Sequence, residues 1–198
     1  MNYLAHAFLS FNEPEIIVGN MISDFVKGKK KFDYPQGIQK GIALHRAIDQ
    51  FTDDHPQTKI AKEYFRPVYR LYSGAFVDVL YDYFLANDRD QFAGSDALDQ
   101  FTANTYESIE KYLPILPANF QHLFPFMKTQ NWLFNYQYQW GLEKSFGGLI
   151  YRALYLHESA QAMEIFQANE NALQYCYNNF FPELYFFAKH QLRNLLDS

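Results

Sequence analysis

This chain of 198 residues holds a single cysteine, Cys176, so no disulfide can close within it. No apolar run approaches the length of a membrane span. The opening Met1-Asn-Tyr-Leu-Ala-His6 lacks the basic residues that begin a signal peptide. With 17 Lys and Arg against 22 Asp and Glu, the chain has no basic excess, which argues against a general nucleic-acid binder. Alternating strand patterns, internal repeats and flexible linkers are missing too. Gly147-Gly148 is no phosphate loop, there is no GxSxG elbow, and His157-Glu158 is no zinc motif because residue 161 is Gln. Cys176 sits among tyrosines with no base nearby in sequence, and reads as a small buried hydrophobe. These absences predict a protein of the reducing cytoplasm, with one domain over residues 1–198 and no membrane or nucleic-acid partner.

Aromatic residues are abundant, 20 Phe and 16 Tyr, which predicts a core built largely of rings. Apolar residues recur at helical spacing, with Pro, Gly and Asn as punctuation. The pattern predicts helices over roughly 2–11, 14–27 (closed by Gly28), 35–52, 57–72 and 74–87 (two helices, or one kinked near Pro67 and Gly74), 96–112, 118–134 and 136–152. A long amphipathic stretch follows over roughly 157–196, broken near Pro182. The expected fold is all-α, a compact bundle of short to medium helices.

Against this apolar background stand histidines and aspartates in unusual positions. His45 with Asp49, and Asp78 with Asp82, are both i,i+4 pairs, so each pair leaves one face of one helix. Their settings, Gly41-Ile-Ala-Leu-His45 and Phe76-Val-Asp78-Val-Leu-Tyr-Asp82, are otherwise apolar. A carboxylate on the apolar side of a helix must be paired, hydrogen-bonded or metal-bound. His6 and Asp24 add candidates from two further helices. Facing helices of a bundle build metal sites in this way, and a mixed imidazole and carboxylate set suits Mn, Fe, Mg or Zn. Each residue alone has a plainer reading, a packed histidine or a surface carboxylate. Four helices with such groups favour a site.

Lys27, Lys29, Lys30 and Lys31 form a basic run directly after Asp24. A solvated loop is the plain reading, and a docking edge for an anionic partner the sharper one. Arg46 and Arg152 fit phosphate contacts or surface ion pairs equally well.

Four blocks carry a family resemblance. They are Met1-Asn-Tyr-Leu-Ala-His6; Gly19-Asn20-Met-Ile-Ser-Asp24-Phe25-Val-Lys-Gly28; Gly41-Ile through His45-Arg46 to Thr52-Asp53; and Val77-Asp78 through Asp82 to Phe84-Leu85. Asn131-Trp132-Leu133 and Gly148 with Arg152 are weaker marks. In order and spacing the chain resembles the bacterial acyl-carrier-protein phosphodiesterases. The resemblance implies an all-helical hydrolase distantly related to the HD-domain phosphohydrolases. Such an enzyme uses Mn or Mg to cut the 4′-phosphopantetheine arm from holo acyl carrier protein. It implies Asp24, His45, Asp78 and Asp82 as metal-site residues, with His6, Asp49 and Arg46 as catalytic candidates. Acyl carrier protein is acidic, so Lys27, Lys29, Lys30, Lys31 and Arg152 become its expected docking groups. One departure stands out: relatives often carry His where this chain has Tyr83. Hydrolysis of another small phosphodiester, and a non-catalytic helical binding protein, are the competing expectations.

Overall fold

The computed structural model describes residues 1–152 and 160–197. Among them it is all-helical, with no strand: α1 (Tyr3–Phe8), α2 (Pro14–Ile22), α3 (Gln36–Asp54), α4 (Pro56–Tyr69), α5 (Ser73–Ala86), α6 (Ser95–Tyr112), α7 (Ala118–Thr129), α8 (Trp132–Asn135), α9 (Gln139–Arg152) and α10 (Ala160–Leu196). Pro14 and Pro56 open α2 and α4, where a missing N–H costs nothing. His55 caps α4, its Nδ1 accepting from the Gln57 N–H.

The closest helix pair is α2 against α3. A Cβ on Gly19 would collide with the Ile38 carbonyl, and one on Gly41 would strike the α2 backbone at Ile16. These two glycines let the helix backbones touch, which puts the backbone of Asn20 beside His45. The expected aromatic interior is present. Phe65, Phe76, Tyr69 and Phe146 stack between α4, α5 and α9, while Tyr81, Tyr177, Phe180 and Phe181 join α5 to α10.

Several boundaries differ from the sequence expectation. α2 stops at Ile22, not near Gly28. A 3-10 turn over Ser23–Phe25 follows, and then Val26 turns extended and buries its side chain. Phe25 meanwhile packs edge-on against Phe120 of α7. Burying Val26 and Phe25 outweighs continuing the helix. Gly28 has φ +59 and opens a second 3-10 segment, Gly28–Asp33, in which no residue is buried. Pro182 does not break α10. Phe180, Phe181 and Leu184 around it are all buried, and the lost backbone bond costs less than exposing them. The irregular residue is instead Asn169 (φ −128, ψ 18), whose side-chain amide donates to the Ile165 carbonyl. The start of the last predicted stretch and the His157-Glu158 pair lie outside the described residues.

Candidate metal centre

α1, α2 and α3 meet at one polar cluster. His6 comes from the last turn of α1 and His45 from the middle of α3. Their rings stack with centroids 3.9 Å apart and planes 16° from parallel. Asp49, one turn beyond His45, bridges both: its Oδ1 lies 3.1 Å from His6 Nε2 and its Oδ2 3.0 Å from His45 Nε2. Asp24, in the 3-10 turn after α2, reaches His45 Nε2 at 3.3 Å. Both rings are buried. Asp24 is 76% exposed and Asp49 40%, so the cluster opens to solvent on the carboxylate side.

The ring protons can be placed by following the hydrogen bonds. Ser10 Oγ donates to the His6 carbonyl, so it accepts from Asn20 Nδ2. That turns Asn20 Oδ1 toward His6 Nδ1, 2.9 Å away, and His6 Nδ1 must be the protonated nitrogen. His45 Nδ1 likewise donates to the backbone carbonyl of Asn20 at 2.8 Å. One residue therefore fixes both imidazoles through two different oxygens. Each ring presents Nε2 to the carboxylates, and neither Nε2 has a partner of hydrogen-bond geometry although oxygens crowd it. Two imidazole lone pairs beside carboxylate oxygens need a cation between them, either a proton or a metal. Donor atoms of His6, His45 and Asp49 all lie within 4.8 Å of one another, which fits a metal-binding group.

The titration pattern follows from this crowding. Burial, and then the neighbouring His45, push His6 down to about 4. Burial also works against a charged His45, but Asp24 and Asp49 override it and hold the ring up to about 9. Burial would raise Asp49, yet the two imidazoles and the Met1 ammonium keep it well below the usual carboxylate range. Contact with His45 lowers Asp24 despite its own partial burial. The two carboxylates thus favour a protonated His45 beside a neutral His6.

α5 behaves differently. Asp78 Oδ1 accepts from the buried Met1 ammonium at 3.0 Å, and that ammonium lies 3.5 Å from Asp49. Burial raises Asp78 and the ammonium pulls it back down. Asp82 is completely buried. Its Oδ2 accepts from Leu4 N at 2.7 Å and its Oδ1 from Ala5 N at 3.2 Å. Both oxygens serve the first turn of α1, a helix cap supplied from a distant helix. Burial pushes Asp82 up to about 7 against those hydrogen bonds. The sequence places Asp82 among the metal residues. The structure instead gives it to α1, where it anchors the helix that carries His6.

Arg46 is exposed and donates to the Val26 carbonyl at 3.3 Å, beside exposed Lys27, Lys29 and Lys30 and half-buried Lys31. Arg152 ends α9, and its side chain lies outside what the structure describes. Sequence reasoning gave no role to Asn20, Ser10 or the Met1 amino group. The signal for Asn20 was present in the Gly19-Asn20 block, but only the helix crossing shows what it does.

A family model described as acyl carrier protein phosphodiesterase matches residues 1–184. The chain belongs to this family. Acyl carrier protein phosphodiesterases of Yersinia pestis and Klebsiella pneumoniae (strain 342) are 32% and 30% identical to it. In both cases the match covers 96% of this chain and 99% of the relative. One from Escherichia coli O139:H28 is 28% identical over the same shares. No solved structure matches. The four blocks of the acyl carrier protein phosphodiesterase resemblance fall on α1, α2 with its 3-10 turn and α3, the elements that meet at the cluster, and on α5, which holds the start of α1. Tyr83 does not take part: its ring packs edge-on against Phe166 of α10.

Proposed function

We propose that this protein is a metal-dependent phosphodiesterase that removes the 4′-phosphopantetheine arm from holo acyl carrier protein. The observation that carries this is the convergence of two Asn20-oriented imidazole nitrogens on Asp49, at a mouth opened by Asp24. His6, His45, Asp49 and Asp24 would hold the ion. A mixed nitrogen and oxygen set on a partly exposed site suits Mn, with Mg as the harder alternative. A divalent ion supplies Lewis acidity toward the phosphodiester oxygens. The protein's own groups do the rest. Asn20 fixes the imidazole tautomers, and Asp82 and Asp78 hold the start of α1 in place. Arg46, which donates to the Val26 carbonyl, and Lys27 are the cations nearest in sequence to His45 and Asp24, and would meet the phosphate charge. Water attacks phosphorus in line, the P–O bond to the carrier serine breaks, and the serine oxygen takes up a proton. The exposed basic segment Gly28–Asp33 is the docking edge for an acidic carrier protein, and Arg152 is its more distant sequence candidate.

Incubation with holo acyl carrier protein and Mn or Mg, read by mass spectrometry, tests the proposal. The expected outcome is loss of the phosphopantetheine mass, abolished in Asp24→Ala and His45→Ala. No loss from a folded, metal-loaded protein moves the substrate to another small phosphodiester. No loss and no bound metal makes it a binding protein.

A further inference from the structure

A cavity of about 510 Å³ lies between the start of α1 and helices α5, α7, α8 and α9. None of the cluster residues lines it, but two elements run from its wall to the cluster. Asn2 and Tyr3 line it and directly follow Met1, whose amino group contacts Asp78 and Asp49. Val79 lines it and directly follows Asp78. A third link runs through α7: Leu123, in the wall, is one turn from Phe120, which packs on Phe25 beside Asp24.

The walls are of two kinds. Trp132, Trp140 and Tyr136 supply broad apolar faces, with the Lys144 ammonium over the Trp140 ring, 5.1 Å from its centroid. Asn2, Gln130 and Asn135 set side-chain amides among them. The α9 wall is lowered by glycine. Gly148 is exposed on this wall, and a Cβ built on it meets no atom of the described residues within 4 Å.

We propose that this cavity binds the pantetheine arm of the substrate, an extended chain of methylenes interrupted by amides. The identity of the arm rests on the phosphodiesterase reading above; the location rests on the cavity. Aromatic walls cover the methylenes, the three amide side chains meet the arm's amides, and the phosphate end points along Met1 and Asp78 toward the cluster. The size is that of an ordinary small-molecule site.

The chain has only two tryptophans, Trp132 and Trp140, and both line this cavity. Indole fluorescence of the Mg-loaded full chain therefore reports on it directly. Titration with 4′-phosphopantetheine and with pantetheine should each give a saturable change, and inorganic phosphate should give none. Gly148→Leu, checked for fold by circular dichroism, should weaken both responses at least tenfold and raise KM for holo acyl carrier protein by a similar factor. No saturable change in the wild-type protein overturns the proposal without reference to any variant. So does an equal response to phosphate, or a folded Gly148→Leu protein with unchanged titrations and KM. If pantetheine binds and Gly148→Leu abolishes binding, but holo carrier protein is not cleaved, the cavity stands and the phosphodiesterase reading falls. Cleavage without any fluorescence response leaves that reading standing and removes the cavity's role.

Discussion

α3 and α5 each carry an i,i+4 pair on an apolar face, and the two pairs do different work. His45 and Asp49 both turn into the cluster, where they meet His6 and Asp24. Asp78 and Asp82 turn toward the beginning of the chain and hold the Met1 ammonium and the Leu4 and Ala5 N–H groups. The same spacing thus builds a donor set in one helix and a clamp in the other. The difference lies in what faces each helix: α3 meets stacked imidazoles, whereas α5 meets the N-terminus of α1 with its unpaired donors. A buried carboxylate must be satisfied, and either solution meets that need.

The largest effect that tests this contrast is on α3. Asp49→Ala should abolish metal binding and lower turnover at least ~100-fold, since it removes the carboxylate shared by both imidazoles. Titration calorimetry with Mn and a turnover assay check both. Asp82→Ala should instead leave metal stoichiometry intact and destabilise the fold by ~1–3 kcal/mol, because two helix N–H groups lose their acceptor. Denaturant unfolding beside metal analysis reads it. A folded Asp82→Ala protein that takes up no metal would erase the distinction between the two helices.

Asn20→Ala should cost ~10–100-fold in metal affinity through loss of the imidazole orientation, with the ligands themselves untouched. The proton on His45 gives a pH test. His45 is raised from 6.5 to about 9, so in metal-free protein its contribution to stability is complete below pH 6.5 and is lost as pH rises through 9. On the proposed function, a metal at the cluster would take the place of that proton. Tm of the metal-free protein should therefore fall between pH 6.5 and 9, and the loaded protein should show a flatter profile. The smallest effect belongs to the basic edge. Charge reversal at Lys29, Lys30 and Lys31 should raise KM for the carrier protein and weaken its salt dependence, leaving kcat little changed. Unchanged kinetics would remove this segment from docking.

Helical class, the aromatic interior and the four residues that meet in the cluster, His6, Asp24, His45 and Asp49, stand out by residue type and spacing alone. Periodicity exposes an apolar face, and a charged group on that face signals a polar requirement. What spacing could not show was the partner. Asp82 looks like Asp49 in sequence because both interrupt apolar helices, and only the docking of α1 on α5 separates their roles. Asn20 looked like part of a motif without a task, since its work depends on a carbonyl and a side chain meeting two rings from other helices. The stop of α2 at Ile22 was hidden for a similar reason: burial of Val26 and Phe25 against distant elements overrode local helix preference.

By itself, then, the sequence determined that this chain forms helices, which faces of them are apolar, and that imidazoles and carboxylates must be satisfied inside. These are properties of near neighbours along the chain, set by side-chain chemistry and the helical repeat. The tertiary structure decided which carboxylate met an imidazole and which met a backbone donor. It also decided which tautomer each ring holds and where a cavity opens beside them. Those outcomes depend on helix crossings, such as the glycine contact between α2 and α3, that bring together groups far apart in sequence.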